Sequence, residues 1–358
     1  MSKGQAKILI YIVAAIALLA IAMMRHSSAD VESEQEPFTQ IEGTVFHTIY
    51  HIQYEGNGDY REELRQLFDE FDASLSMFND TSLISRINQG DTSVVLDHYL
   101  RTVYDKACEV SERTGGAFDI TVAPLINLWG FGFKNAENVS PHAVDSILQF
   151  VGYQKTHLDE RGHLIKDDPR MVFDASSIAK GYMCDVAADF LRSKGLSNFM
   201  VEIGGEVVCS GHNARGNLWG IGINEPIEDS LQINTQLRDV MRLTDCGIAT
   251  SGNYRNFYYK DGRRFGHIVD PSTGYPVQRD ILSSTVIAPD CITADALATA
   301  FMVLGSESAI EILESDSTLM AYFICSSDKG DKFRVIYSPR LEQMLVSSQL
   351  QQRDGKTD

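Results

Sequence analysis

Apolar positions recur along the chain with two periods, and each period predicts a kind of element. From Thr44 the stretch TVFHTIYHIQY, rich in β-branched and aromatic residues, alternates well enough for a strand. Tyr60, Leu64, Leu67, Phe68, Phe71 and Leu75 then follow helical spacing. Leu100, Val103, Ala107 and Val110 repeat it in a second helix that ends at Gly115-Gly116. Ser140-Pro141 is a helix start, with Ser as N-cap and Pro at the first helical position. Another helix is predicted from about Ser177 to Lys194. The following stretch offers mostly strands: NFMVEI, EVVCS, LWGIGI, VMRLTD, NFYYK and ILSSTVIA, separated by Gly and Asn turns. Helices return over Thr293 to Leu304 and Ser306 to Leu313, and YFICS and FRVIY read as closing strands. Strands in runs, with helices interspersed rather than strictly alternating, imply an α+β fold.

The first residues follow neither period. Lys3 and Lys7 precede an uncharged run from Ile8 to Met24, closed by Arg25 and His26. Such a run sits at the lower limit for crossing a bilayer. Ser27-Ser28-Ala29 also offers a small-residue cleavage site. Residues 1–29 therefore read as a transmembrane anchor or signal segment, with the N-terminus cytoplasmic. Residues 30–40 read as an acidic tether, 41–345 as the folded domain and 346–358 as a polar tail. Either reading of the hydrophobic run puts the domain outside the cytoplasm, and an uncleaved run holds it at the membrane.

Of the 358 residues, 31 are Lys or Arg and 49 are Asp or Glu, a formal charge of -18. Nucleic-acid binding depends on phosphate neutralisation by basic side chains, so this balance argues against that partner. An anionic ligand would need a local device, such as a metal ion or ordered backbone N–H groups. The six cysteines (Cys108, Cys184, Cys209, Cys246, Cys291, Cys325) contain no C-x-x-C pair and stand among apolar or small neighbours. They read as free, buried thiols rather than metal or redox motifs.

Four polar clusters interrupt the framework. In TGGAFDITV, a Gly pair entering a strand lets backbone approach a ligand, and Asp119 breaks an apolar run; a plain helix C-cap is the alternative. In FDASSIAKGY a strand ends at Asp174 and a helix begins near Ser177. That junction suits an anion, with Lys180 adding charge, or else it is a simple N-cap. ATSGNYR is followed by HIVDPSTG, whose Asp-Pro-x-x-Gly is a tight turn and whose His267 is a base, a ligand orienter or a structural residue. In TADALATA, Asp295 and Thr299 share one face of a helix that should be buried. A carboxylate there needs a partner: an oxygen-seeking cation such as Mg²⁺ is one solution, and capping a neighbouring segment is the alternative.

Taken in order, TGGAFDITV, DASSIAKGY, VEIGGEV, ATSGNYRNF, HIVDPSTG and TADALATA resemble the ApbE family, the FAD:protein FMN transferases. The resemblance runs from about Gly43-Thr44 to Leu304-Gly305. It implies a T-fold-like domain of mixed sheets and packed helices, and transfer of the FMN half of FAD to a Thr or Ser of another protein, with loss of AMP. It implies FAD contacts at Phe78, Ala117, Phe118, Asp119, Asp174, Lys180 and His267, and a Mg²⁺ held by Ser177, Asp295 and Thr299. His267 and Asp295 would be the catalytic pair. Acceptors would carry a [D/S]-G-A-[T/S] tag and belong to RNF- or NADH:quinone-reductase-type complexes, with the enzyme on the periplasmic side of the inner membrane. Two rival activities follow the same residues: an FAD pyrophosphatase, and a carrier that binds FAD without chemistry. The chain departs from the family pattern in having no Cys before Cys108 for lipid attachment and in Glu42, where relatives often have Met.

Overall fold

The computed structural model describes residues 37–131, 139–226, 237–253, 257–260, 263–327 and 333–347. The hydrophobic run, most of the tether and nearly all of the polar tail lie outside them. Among the described residues no helix is long and apolar enough to cross a membrane.

The described residues from Phe38 onward form one unit. Its strands are β1 (Phe38–Val45), β2 (Thr48–Glu55), β3 (Thr156–Leu158), β4 (Leu164–Lys166), β5 (Phe199–Ile203), β6 (Glu206–Ser210), β7 (Trp219–Asn224) and β8 (Leu237–Leu243). They continue with β9 (Cys246–Gly252), β10 (Phe257–Lys260), β11 (Arg263–Gly266), β12 (Ile281–Ala288), β13 (Met320–Cys325), β14 (Arg334–Tyr337) and β15 (Leu345–Ser347). The main helices are α1 (Arg61–Leu75), α2 (Leu83–Asn88), α3 (His98–Arg113), α4 (Ala123–Leu128), α5 (Pro141–Leu148), α6 (Ala179–Ser193), α7 (Cys291–Leu304) and α8 (Ser306–Ser315).

Eight strands make one sheet in the order β1-β2-β5-β6-β9-β12-β13-β14, antiparallel throughout. The period-two alternation sorts its side chains onto two cores. Val208, Ala249, Val286 and Phe323 point into the large core with α6 and α7. Their neighbours Val207, Ile248, Ile287 and Tyr322 face a second core, closed by Trp219, Met241 and Leu243 of the small sheet β15-β8-β7. Because the middle strands are covered on both faces, ILSSTVIA reads as nearly unbroken burial.

Four local features differ from the sequence reading. TVFHTIYHIQY is not one strand but the end of β1, a two-residue turn and β2. Phe46 and His47 hold positive φ of 49° and 58°, where Asn or Gly is the usual choice. Phe46 takes that conformation with its ring 5.6 Å from Phe71, so core packing specifies the turn. The first strand also starts at Phe38, inside the stretch read as tether. Gly115-Gly116 leads into no strand. The chain turns through Asp119 into α4, whose Pro124 lies in its first turn. CGIATSG, poor in strand-forming side chains, is β9, one of the two middle strands, because α7 and β12 pack close against it.

Candidate functional site

The floor of the site is a helix pair. Twelve of the fourteen α7 residues are buried, as the small, apolar run predicts, because α7 is wedged between α6 and strands β9 and β12. Its approach to α6 is so close that a Cβ on Gly181 would lie 2.3 Å from the Cys291 carbonyl oxygen. The Gly181 N–H donates to Asp295 Oδ2 at 3.0 Å. The N-terminus of α7 is capped twice. Asp290 accepts from the Thr293 amide, and Asp185 of α6 accepts from the amides of Cys291 and Ile292.

Three charges meet above this contact. Lys180 Nζ lies 2.9 Å from Glu206 Oε1 and 3.9 Å from Asp295 Oδ2. The two carboxylate side chains are 6% and 4% exposed, whereas Lys180 is 30% exposed. Burial pushes Glu206 up to about 7 against the pull of Lys180, and the Asp295 carboxylate beside it adds to the rise. Burial raises Asp295 too, opposed by Lys180 and the Gly181 amide. For Lys180 burial acts downward, but Asp295 and Glu206 overcome it and hold the ammonium well above its usual range. Glu206 Oε2 is buried with no hydrogen-bond partner. Glu206 follows the Gly204-Gly205 turn, whose positive φ values of 62° and 102° join β5 to β6.

These groups open into a cavity of about 810 Å³, lined by all ten residues singled out from sequence: Phe78, Ala117, Phe118, Asp119, Asp174, Ser177, Lys180, His267, Asp295 and Thr299. Such a volume suits a large cofactor or substrate. Phe78 is 58% exposed, with the His47 ring edge-on at 4.7 Å. Asp174 accepts from the Ser176 amide, while the N-cap position of α6 falls to Ile178, which makes no side-chain capping bond. The N-cap alternative for the DASSIAK segment is therefore not what forms. Asp119 is committed internally: its carboxylate accepts from Thr121 N, Thr121 Oγ1 and Tyr153 N. Burial nonetheless raises its pKa. Asp270 is likewise spent on its own turn, accepting from Ser272 N and Oγ. Thr299 Oγ1 lies 2.9 Å from Ser251 Oγ, and Asp295 stands one turn earlier on the same face.

The ApbE family model matches residues 46–323. The chain belongs to the ApbE family. The FAD:protein FMN transferase of Vibrio cholerae is 37% identical over 298 residues, covering 81% of this chain and 87% of that protein. The one from Haemophilus influenzae is 34% identical over 328 residues, covering 87% and 93%. The solved flavin transferase ApbE from Vibrio cholerae has a TM-score of 0.76 at 34% identity, over 86% of this chain and 99% of that one. The apo flavinyl transferase ApbE from Pseudomonas stutzeri also has a TM-score of 0.76, at 29% identity over 88% and 98%. The relatives carry transferase names, and this ApbE chain is an enzyme of that class.

Among the described residues no group of three or more His, Cys, Asp and Glu side chains is arranged for a metal. A hard cation is nonetheless compatible with this ApbE cavity. Two nearly dry carboxylates face one ammonium, and one of their oxygens lacks a partner. That surplus of negative charge and oxygen donors suits Mg²⁺, which accepts hydroxyl, carbonyl and phosphate oxygens beside a lone carboxylate. Sequence reasoning missed Glu206 and Asp185 as site-building groups. Glu206 was visible only as one letter of VEIGGEV. Asp185 acts on residues more than one hundred positions away, which no local pattern reveals.

Proposed function

We propose that this protein transfers the FMN moiety of FAD to a Thr or Ser hydroxyl of an acceptor protein and releases AMP, with Mg²⁺ as the assisting ion. The observation that carries the reading is the convergence of all ten residues on one cavity, in a chain whose relatives are named for that transfer. The acceptor oxygen attacks the FMN-side phosphorus, a new P–O bond forms, and the bond to the AMP phosphate breaks. Ser177, Asp295 and Thr299 would hold the ion, which when bound neutralises pyrophosphate charge and orients the phosphoryl group. Lys180 supplies a fixed positive charge to the phosphates, held in place by Glu206 and Asp295. His267 takes the acceptor proton or orients the phosphate. Phe78, half out in solvent at the cavity, offers a ring face for the isoalloxazine.

The hydrophobic run at Ile8–Met24 supports a reading in which this activity lies at the inner membrane on the periplasmic side. Acceptors there would be tagged subunits of RNF- or NADH:quinone-reductase-type complexes. The test incubates the chain from Asp30 onward with FAD, Mg²⁺ and an acceptor domain bearing the Thr tag. Mass spectrometry should find the acceptor heavier by FMN less water, with equimolar AMP, and EDTA should abolish both. FMN and AMP formed without labelling would move the reading to a pyrophosphatase. Tight FAD binding without any turnover would leave only a carrier.

A further inference from the structure

Six free cysteines are distributed over the fold, and one pair faces across adjacent strands. Cys209 on β6 and Cys246 on β9 are register partners on adjacent antiparallel strands, with their sulfurs 4.0 Å apart. Directly opposed residues have Cα atoms about 4.5–5.5 Å apart, inside the range of about 4.4–6.8 Å that a disulfide spans. Closing the bond requires side-chain rotation rather than movement of the sheet. Access is graded within the pair, since Cys209 is fully buried and Cys246 is half-buried. The chain also holds a built-in contrast. Cys184 and Cys291, on α6 and α7, are both fully buried, and their sulfurs point to the carbonyls of Glu206 and Ile248.

We propose that Cys209 and Cys246 are a dithiol that closes to a cross-strand disulfide by exchange with an oxidised disulfide donor. The Cys246 thiolate attacks the donor's S–S bond, forming a mixed disulfide and releasing one donor thiol. The Cys209 sulfur then displaces the second donor thiol, so the two protein thiols are oxidised by two electrons and the donor is reduced to two thiols. The neighbouring Cys246 sulfur, followed by burial, pushes the Cys209 thiol well above its usual range, which makes resolution the slow step.

The bond would fasten β6 to β9 at the base of the segment that carries β7 and β8. Both fastened strands also furnish the cavity: β6 with Glu206 and Val207, β9 with Thr250 and Ser251. Closing a loop of this length constrains the unfolded chain, which corresponds to a melting midpoint about 5 °C higher.

The experiment treats the full chain, purified in detergent, with oxidised glutathione at mildly alkaline pH. Alkylation after unfolding and peptide mapping then locate the bond. The expected protein is lighter by two hydrogens, carries one Cys209–Cys246 linkage with the other four thiols still alkylated, and melts about 5 °C higher until dithiothreitol is added. Cys209→Ser and Cys246→Ser should each remove that response. Six alkylated thiols after treatment would overturn the proposal. So would a Cys184–Cys291 bond in its place, or glutathione left on Cys246 unresolved. None of these readouts depends on flavin transfer, so failure here leaves the proposed function standing, and failure of that function leaves this test intact.

Discussion

The two sides of the cavity are made of different matter. The floor is helix on helix beside the start of β6, with Lys180, Glu206 and Asp295 set around contacts so tight that Gly181 has no room for a Cβ. Another part of the lining, with Val122, Ile126, Phe131 and Val269, belongs to a smaller cluster around Leu125, Trp129 and Val144, the wall. There aromatic rings stack at small angles: Trp129 on Phe265 at 5.4 Å, Phe131 on Tyr258 at 5.1 Å and Tyr258 on Phe265 at 5.6 Å. Fixed charges stay aimed only where the backbone cannot yield, because reorientation would cost what preorganisation saves. Flat rings need to meet only another flat surface. Of these rings only Phe131 lines the cavity, so on the proposed function the floor serves the phosphates and the wall backs the lining that meets the flavin.

The sharpest way to break that division is Asp295→Asn, which keeps the shape of the side chain and removes its charge. Turnover should fall about 10³-fold, a loss of about 4 kcal/mol in transition-state stabilisation, while much of the FAD binding survives. Single-turnover labelling beside flavin titration reads both quantities. Full activity in the Asn variant would remove Asp295 from the chemistry.

Gly181→Ala comes next. Its Cβ would meet the Cys291 backbone at 2.3 Å, which no rotamer change relieves. A stability loss of about 3 kcal/mol is expected, read as a lower urea midpoint with unchanged slope. A variant as stable as the parent would mean that the helix pair has slack.

Lys180→Met should cost about 2–3 kcal/mol, because it leaves Glu206 and Asp295 facing one another without their cation. The 30% exposure of Lys180 and the ability of both carboxylates to take up protons keep the loss from being larger. The variant should therefore regain stability as pH falls, and one that loses further stability below neutral pH would contradict the charge account.

An effect of similar size is expected at the N-terminus of α7. Burial pushes Asp185 up to about 7, against the two amides it accepts. A carboxylate raised above its unfolded value of about 4 binds its proton more tightly in the folded protein. Its stabilising contribution is then complete below about pH 4 and is lost as pH rises through about 7. Asp185→Asn should flatten that decline by about 2.5 kcal/mol between roughly pH 5 and pH 8. Urea titrations at the two pH values read the change, and an unaltered decline would place the titration elsewhere.

These two sides were unequally legible in the sequence. The floor announced itself, since TADALATA combines helical spacing, small residues and a lone carboxylate, and it folds as the buried helix α7. What sequence withheld were the partners of that carboxylate. Gly181 lies 114 positions from Asp295, and the role of Glu206 depends on a sheet register that no local pattern encodes. Of the wall, the sequence shows mainly the tight turn Asp270–Gly274, which forms with the Gly274 amide donating to the Asp270 carbonyl. The helix α4 behind it escaped notice because a six-residue helix shows too little of its period. The Phe46-His47 turn was illegible for a different reason: its residues disfavour the conformation that the core imposes on them.

The wall is tested most gently through Trp129, which is not part of the cavity lining but stacks on Phe265 and donates its Nε1–H to the Gly274 carbonyl at 2.8 Å. Trp129→Phe keeps a ring in the stack and deletes that one bond, at a cost of about 1 kcal/mol. If the wall recognises rings and takes no part in phosphoryl transfer, the FAD concentration for half-maximal rate should rise about threefold with turnover unchanged. That is the signature of binding lost equally from ground state and transition state. A fall in turnover at unchanged half-saturation would mean that the wall also positions the reacting phosphate through His267, which follows β11 a few residues from both Phe265 and the turn. The floor would then no longer hold the chemistry alone.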